Sequence, residues 1–221
     1  MSERTNYKEL IENRRYPQRE TMSTVRFFAV LLAVFAIFIF VFTNVLIGVQ
    51  VNGSSMEPTL YGGVMGSDGK YHGGDYLFVN TLDRPAHGDI IVFHATPSIS
   101  NNSELIKRVI GLPGDTIKAQ NGVLYRKNAG EESFEVVEEP YLGEVWTQTL
   151  PAPGEQEYYI VDGCIVVPEG MVYVMGDHRS VSSDSRSFGP IPMSSIVGVV
   201  TDWSLKHKKI LTAVFGFFQF G

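Results

Sequence analysis

The sequence predicts a mainly β protein carried behind one N-terminal membrane-spanning helix. Two observations lead there. Residues 27–42, FFAVLLAVFAIFIFVF, are apolar without interruption, and no charge follows through Val49. Beyond Val51, short runs rich in Val, Ile, Tyr and Phe alternate with Gly, Pro, Asn and Asp, the pattern of antiparallel strands joined by tight turns. No long amphipathic helix and no internal repeat interrupts that pattern.

The apolar segment comes first. A helix over 27–49 covers roughly 34 Å at 1.5 Å per residue, enough for a bilayer core. A surface helix of a soluble protein would carry a polar stripe. A cleaved leader would have a shorter apolar region and a small-x-small exit, whereas the exit here reads TNVLIGVQV. The segment therefore reads as an uncleaved anchor. Arg4, Lys8, Arg14, Arg15, Arg19 and Arg26 precede it, and no Lys or Arg follows until Lys70. The positive-inside rule then puts residues 1–26 in the cytoplasm and the remainder outside.

Strands are expected at 75–80, 89–95, 104–111, 116–120, 123–127, 157–163, 171–177 and 196–204, with a tight hairpin turn at QNGV, 120–123. These form a β-rich domain over 50–204, with a smaller β insertion at about 121–168. Residues 61–74 hold six glycines and read as a mobile loop. Residues 128–156 are acidic and Pro-containing and read as solvated edges of the insertion. The tail, 205–221, joins a basic cluster to an apolar stretch too short for a full span. It reads as a segment that packs in the core or, by preference, lies at the membrane interface.

Composition narrows the function. The net charge of −6 argues against nucleic-acid binding, which calls for a basic patch. Cys164 is the only cysteine, so no disulfide forms within the chain, and no zinc-like Cys/His spacing occurs. The five histidines are scattered and read as surface or loop imidazoles. No cofactor or metal is expected.

Three stretches carry chemistry. NGSSMEPTL (52–60) places two serines just past the apolar run. A serine hydroxyl is a weak nucleophile unless a base takes its proton. ELIKRVIGLPGD (104–115) puts Lys107 between Leu105 and Val109 on one face of a strand. If that face is buried, desolvation frees the amine near neutral pH; otherwise the ammonium snorkels to water. GDHRSVSSDSRSFGP (176–190) is a serine-rich loop holding Asp177, Arg179, Asp184 and Arg186. It has the groups to orient a lysine and to brace itself with an Asp-Arg pair.

Together, GSSMEPTL, HGDIIVF (87–93), KRVIGLPGD (107–115) and GDHRSVSSDSR resemble the bacterial type I signal peptidases, membrane-bound serine proteases with a Ser/Lys dyad. The resemblance spans the anchor and most of 50–200. It implies a β-rich signal-peptidase catalytic core with a smaller β insertion. It also implies cleavage of N-terminal signal peptides from exported preproteins at small-x-small sites. Ser55, the serine before Met, would be the nucleophile and Lys107 the base. Ser182 would orient the lysine, and the Ser55 amide would serve the oxyanion hole. Asp177, Arg179, Asp184 and Arg186 would support the loop, and Met56 and Pro58 would line the substrate groove. Some members carry a serine hydroxyl donor where this chain has Gly53. His178 stands where Asn is frequent, and Ser180 where Asp is. Secretory preproteins and the lipid bilayer are the implied partners.

Three rival readings each meet a contrary residue or segment. A soluble self-cleaving Ser/Lys protease lacks the anchor. The reticulum-type enzyme uses His where this chain has Lys107. An inactive scaffold would not need Ser55, Lys107 and Ser182 intact.

Overall fold

The computed structural model describes residues 17–97, 99, 104–151 and 159–216. Strand positions 157 and 158, and the tail from 217 onward, lie outside the described residues. The chain divides into two compact units, Met1–Val45 and Leu46–Gly221.

The first unit contains helix α1, Pro17–Asn44. Its apolar part, Ser23–Asn44, has 22 residues and a mean hydropathy of 2.8. Every residue from Ser23 to Phe40 is exposed, which suits a helix whose solvent is lipid. At the end, Thr43 Oγ1 donates to Ile39 O and Asn44 Nδ2 to Phe40 O. Of the carbonyls that the last turn leaves without helical partners, Val41 O accepts Val45 N–H at 2.9 Å.

The helix stops there, which corrects the expected boundary at 49. Leu46–Gln50 is strand β1. Apolarity alone could not show this, because a buried strand and a spanning helix are both apolar. The β choice is made by pairing: β1 runs antiparallel to β4, Tyr76–Asn80, with Leu46 opposite Asn80 and Gln50 opposite Tyr76.

The second unit is built on two main sheets. The larger adds β5 (Ile90–His94), β6 (Glu104–Gly111), β12 (Met171–Met175), β13 (Ile191–Pro192) and β14 (Ile196–Val200) in the order β1-β4-β14-β5-β6-β12-β13. The smaller has the order β10-β11-β7-β8-β9. Its strands are β7 (Thr116–Gln120), β8 (Val123–Lys127), β9 (Glu135–Val136), β10 (Ile160–Val161) and β11 (Cys164–Val166). The insertion therefore begins with β7, slightly before 121. Asn121 and Gly122 both have positive φ, 49° and 78°, and Gln120 faces Val123. That is the two-residue hairpin turn the Asn-Gly pair favours.

Three apolar clusters form the core, and the one under the insertion also takes Ile110, Tyr173 and Met175 from the larger sheet. Ile91, Phe93, Val109, Val172, Val174, Ile191 and Val199 pack on the larger sheet. Ile110, Ile117, Leu124, Trp146, Leu150, Tyr159 and Ile165 fill the insertion side. Trp146 and Leu150 correct the reading of 128–156 as solvated: part of this segment turns its apolar residues inward.

Two further elements were not expected. Within 61–74, Val64–Met65 (β2) and Tyr71–His72 (β3) form a small hairpin, with Gly66 N–H donating to Lys70 O at 2.8 Å. The tail forms helix α3, Asp202–Gly216, packed on β4 of the larger sheet. Trp203 stacks on Phe78 and Phe215 on Tyr76. Lys208 Nζ donates to Asp75 Oδ2 at 2.8 Å. The basic cluster thus turns one lysine inward rather than presenting all three to headgroups.

Candidate active site

Ser55 lies in a turn that follows β1 and precedes the buried Leu60. Met56 beside it has no exposed surface and packs with Val51, Leu60, Leu77, Ile90 and Val200. This corrects the expectation that Met56 lines a groove: its side chain anchors the serine turn from beneath. Pro58 is exposed, lies beside Gly143 and is not among the residues lining the cleft described below. Residue type alone could not separate an anchoring apolar side chain from a groove-lining one.

Lys107 sits on β6 opposite Ile91 of β5. β6 is paired with β5 on one edge and β12 on the other, and only 2% of the residue is exposed. Its Nζ donates to Ser55 Oγ at 2.7 Å and to Ile106 O at 2.9 Å. Burial pulls the ammonium pKa down to about 8, while the carboxylates of Asp184 and Asp177 act in the opposite direction. Desolvation wins because neither carboxylate touches the amine, and each is engaged by an arginine.

Those carboxylates brace the site. Asp177, fully buried, accepts Arg108 Nε at 2.8 Å and Nη2 at 2.6 Å, and Thr59 Oγ1 donates to it as well. Arg108 follows Lys107 on β6, so this pair ties the lysine strand to the 176–186 loop and to the serine turn. Asp184 accepts Gly176 N–H at 2.9 Å and both Nε and Nη2 of Arg186 at 2.8 Å. It also caps the short helix α2, Ser185–Phe188.

Gly176 has a steric reason to be glycine. A Cβ there would lie 2.4 Å from Ser55 O and 2.2 Å from Ser182 Oγ. Ser182 is therefore brought beside the Ser55 turn. Its hydroxyl is buried and makes no hydrogen bond among the described residues. The expected Ser182–Lys107 bond is not formed in this conformation. Gly53, at φ 83°, donates its N–H to Gly62 O, and a side chain there would meet the Tyr71 ring.

Arg179 does not pair with Asp177. It pairs with Glu139 and lies over the Trp146 ring, 4.7 Å from the centroid. From the same segment, Glu144 accepts Ser180 N–H at 2.9 Å and Gln148 accepts Arg186 Nη1 at 2.6 Å. The sequence reading missed these contacts. The only signal was the density of charge in 138–148, which a solvated loop would show equally.

A cleft of about 620 Å³ opens onto the pair. Val49, Val51, Asn52, Leu105 and Lys107 line it, together with Met65 and Tyr71 of the glycine-rich hairpin. A serine hydroxyl held by a buried, weakly basic amine in such a cleft can attack a carbonyl without metal assistance.

Residues 21–203 match the family described as signal peptidase, peptidase S26. The chain is 37% identical over 168 residues to signal peptidase I of Bacillus caldolyticus, covering 73% of this chain and 79% of that protein. It is 36% identical over 163 residues to signal peptidase I V of Bacillus subtilis (strain 168), covering 72% and 85%. It is 31% identical over 168 residues to signal peptidase IB of Staphylococcus aureus, covering 68% and 73%. The crystal structure of a signal peptidase I from Enterococcus faecalis V583 aligns with a TM-score of 0.43 at 34% identity, over 54% of this chain and 99% of that one. The family match runs from the apolar helix through the last strand, and on that ground the chain belongs to the type I signal peptidases of family S26, serine endopeptidases.

Proposed function

We propose that Ser55 and Lys107 form the catalytic dyad, and that the chain removes signal peptides from exported preproteins after small-x-small sites. The observation that carries this is the 2.7 Å contact between Lys107 Nζ and Ser55 Oγ in a buried setting. The neutral amine takes the hydroxyl proton as Ser55 Oγ attacks the scissile carbonyl. The Ser55 N–H, which makes no hydrogen bond among the described residues, stabilises the resulting oxyanion. Gly53 has no hydroxyl to add to it. Lys107 then protonates the leaving amine, and afterwards activates the water that releases the acyl-enzyme.

An ammonium has three protons, and Lys107 uses two on Ser55 and Ile106 O. We assign Ser182 as the third partner, because its buried hydroxyl makes no hydrogen bond among the described residues and lies beside the Ser55 turn. Asp177 with Arg108, Asp184 with Arg186, and Arg179 with Glu139 hold the loop in place for this.

A cleft lined by both apolar residues (Val49, Val51, Leu105) and polar ones (Gln50, Asn52) suits an extended peptide, which brings a polar backbone and small side chains. The apolar α1 helix is consistent with a membrane anchor. The cluster of basic residues before it supports an N-terminus in the cytoplasm and a β unit outside the plasma membrane. The anchor then keeps Ser55 close to where a preprotein leaves the same bilayer, which raises its effective concentration.

The test is cleavage of an Ala-x-Ala preprotein in detergent by the parent, Ser55→Ala and Lys107→Ala. Product from the parent alone supports the dyad. Full activity in Ser55→Ala means that another residue is the nucleophile.

A further inference from the structure

His178 contacts both peptide groups that flank the Ser55 α-carbon. Its ring Nδ1 lies 3.1 Å from Ser54 O, and its backbone N–H donates to Ser55 O at 3.1 Å. A carbonyl only accepts, so Nδ1 carries the proton in this contact whatever the charge of the ring. Ser54 O accepts a second bond from Glu57 N–H at 3.1 Å. The carbonyl of Ser54 and the N–H of Ser55 belong to one planar peptide unit. Donors on the oxygen end therefore set the direction of the N–H and, by polarising the amide, strengthen it as a donor.

We infer that His178 is a positioning residue for the oxyanion site, acting through the Ser54–Ser55 peptide. The inference rests on the reading of Ser55 as nucleophile. It matters most in this chain because Gly53 leaves the oxyanion to backbone donors on this side. The close approach of Gly176 to Ser55 O holds the loop at the distance that the His178 contacts require. His178 transfers no proton. It fixes the plane and the polarity of the amide that meets the developing charge.

The atom that counts is the δ nitrogen. Asn carries an N–H at the same number of bonds from its α-carbon, whereas Gln places its amide one bond further, where Nε2 would be. The test compares His178→Ala, His178→Asn and His178→Gln with the parent and Ser55→Ala on one Ala-x-Ala preprotein. His178→Ala and His178→Gln should lose about tenfold in kcat at nearly unchanged KM, less than removal of a direct oxyanion donor. His178→Asn should keep most of the activity. A peptide aldehyde, whose adduct carries the oxyanion, should weaken in parallel with kcat, while an uncleavable peptide binds as to the parent. Parent-like kcat in His178→Ala overturns the inference, as does equal impairment of the Asn and Gln variants, or a change in KM alone. If Ser55→Ala still cleaves, it is the underlying dyad that fails instead. Should His178→Ala unfold early, the Asn-against-Gln comparison still decides.

Discussion

Lys107 is the residue at which stability and function pull apart. Its pKa of about 8 in the folded chain lies below that of an exposed lysine. Between the two values the unfolded chain binds a proton that the folded chain does not, so stability rises with pH across that window. Below about 8 the burial is destabilising in full. Lys107→Met should therefore abolish cleavage yet raise stability at pH 7 by on the order of 2 kcal/mol, read from denaturant midpoints. Activity has the matching sign, since only the neutral amine accepts the serine proton. A plot of log kcat/KM against pH should climb with unit slope to about 8 and then level. An acidic limb that disappears in His178→Asn would assign the titration to the wrong residue.

The Arg108–Asp177 pair invites a different substitution. Asp177→Asn removes the charge facing a buried guanidinium that also lies 3.9 Å from the Tyr141 ring centroid. Breaking one partner of a buried pair costs about 3–5 kcal/mol. Thermal unfolding should show that loss, and kcat should fall as well, because the same pair joins the strand of Lys107 to the loop of Ser182. At Gly176 the limit is steric. Gly176→Ala should lower kcat by about tenfold or more by displacing Ser55 O, even if the fold survives.

Among the elements, β6 carries the most. Eight residues long, it pairs with β5 on one side and β12 on the other. It sets Lys107 against the serine turn while Arg108 reaches back to the loop after β12. Its alternation was readable in the sequence, since ELIKRVIG contains no breaker before its final glycine. What could not be read was that both faces are covered. The two-residue strands β2 and β3 had no signal at all: glycine content predicted mobility, and it is the pairing of Val64 with His72 and Met65 with Tyr71 that orders the segment. Replacing 64–72 by a short linker should leave the unfolding midpoint nearly unchanged, since Val64 and Met65 are exposed, and should alter site choice on a panel of preproteins. Unchanged rates and sites would remove the hairpin from substrate recognition. Helix α3 makes a stability prediction instead. Lys208→Met leaves Asp75, itself nearly buried, without its cation and should cost about 1–3 kcal/mol. Lys206→Gln on the exposed side should cost almost nothing.

At the scale of the molecule, three apolar clusters serve one site. The larger sheet carries Lys107 and the serine turn. The insertion sends Glu139, Glu144, Trp146 and Gln148 back onto the 176–186 loop. Damage to the insertion far from Ser55 should thus reach the chemistry. Trp146→Ala should destabilise by about 3–5 kcal/mol as a large buried ring is lost, and Arg179 should lose its support at the same time.

Local chemistry was enough for much of this. The apolar run, most strand positions, the Asn-Gly turn and the serine, lysine and loop motifs depend on side-chain periodicity, on φ preferences and on residue types within short windows. The sequence carries these directly. The end of the helix at Asn44, the burial of Met56, the exchange of partners that gives Asp177 to Arg108 and Arg179 to Glu139, and the packing of α3 on β4 each depend on residues distant along the chain. Side-chain burial and ion-pair choice are properties of the neighbours that folding supplies. No window of sequence around Lys107 could state that its amine would be dry and within 2.7 Å of Ser55.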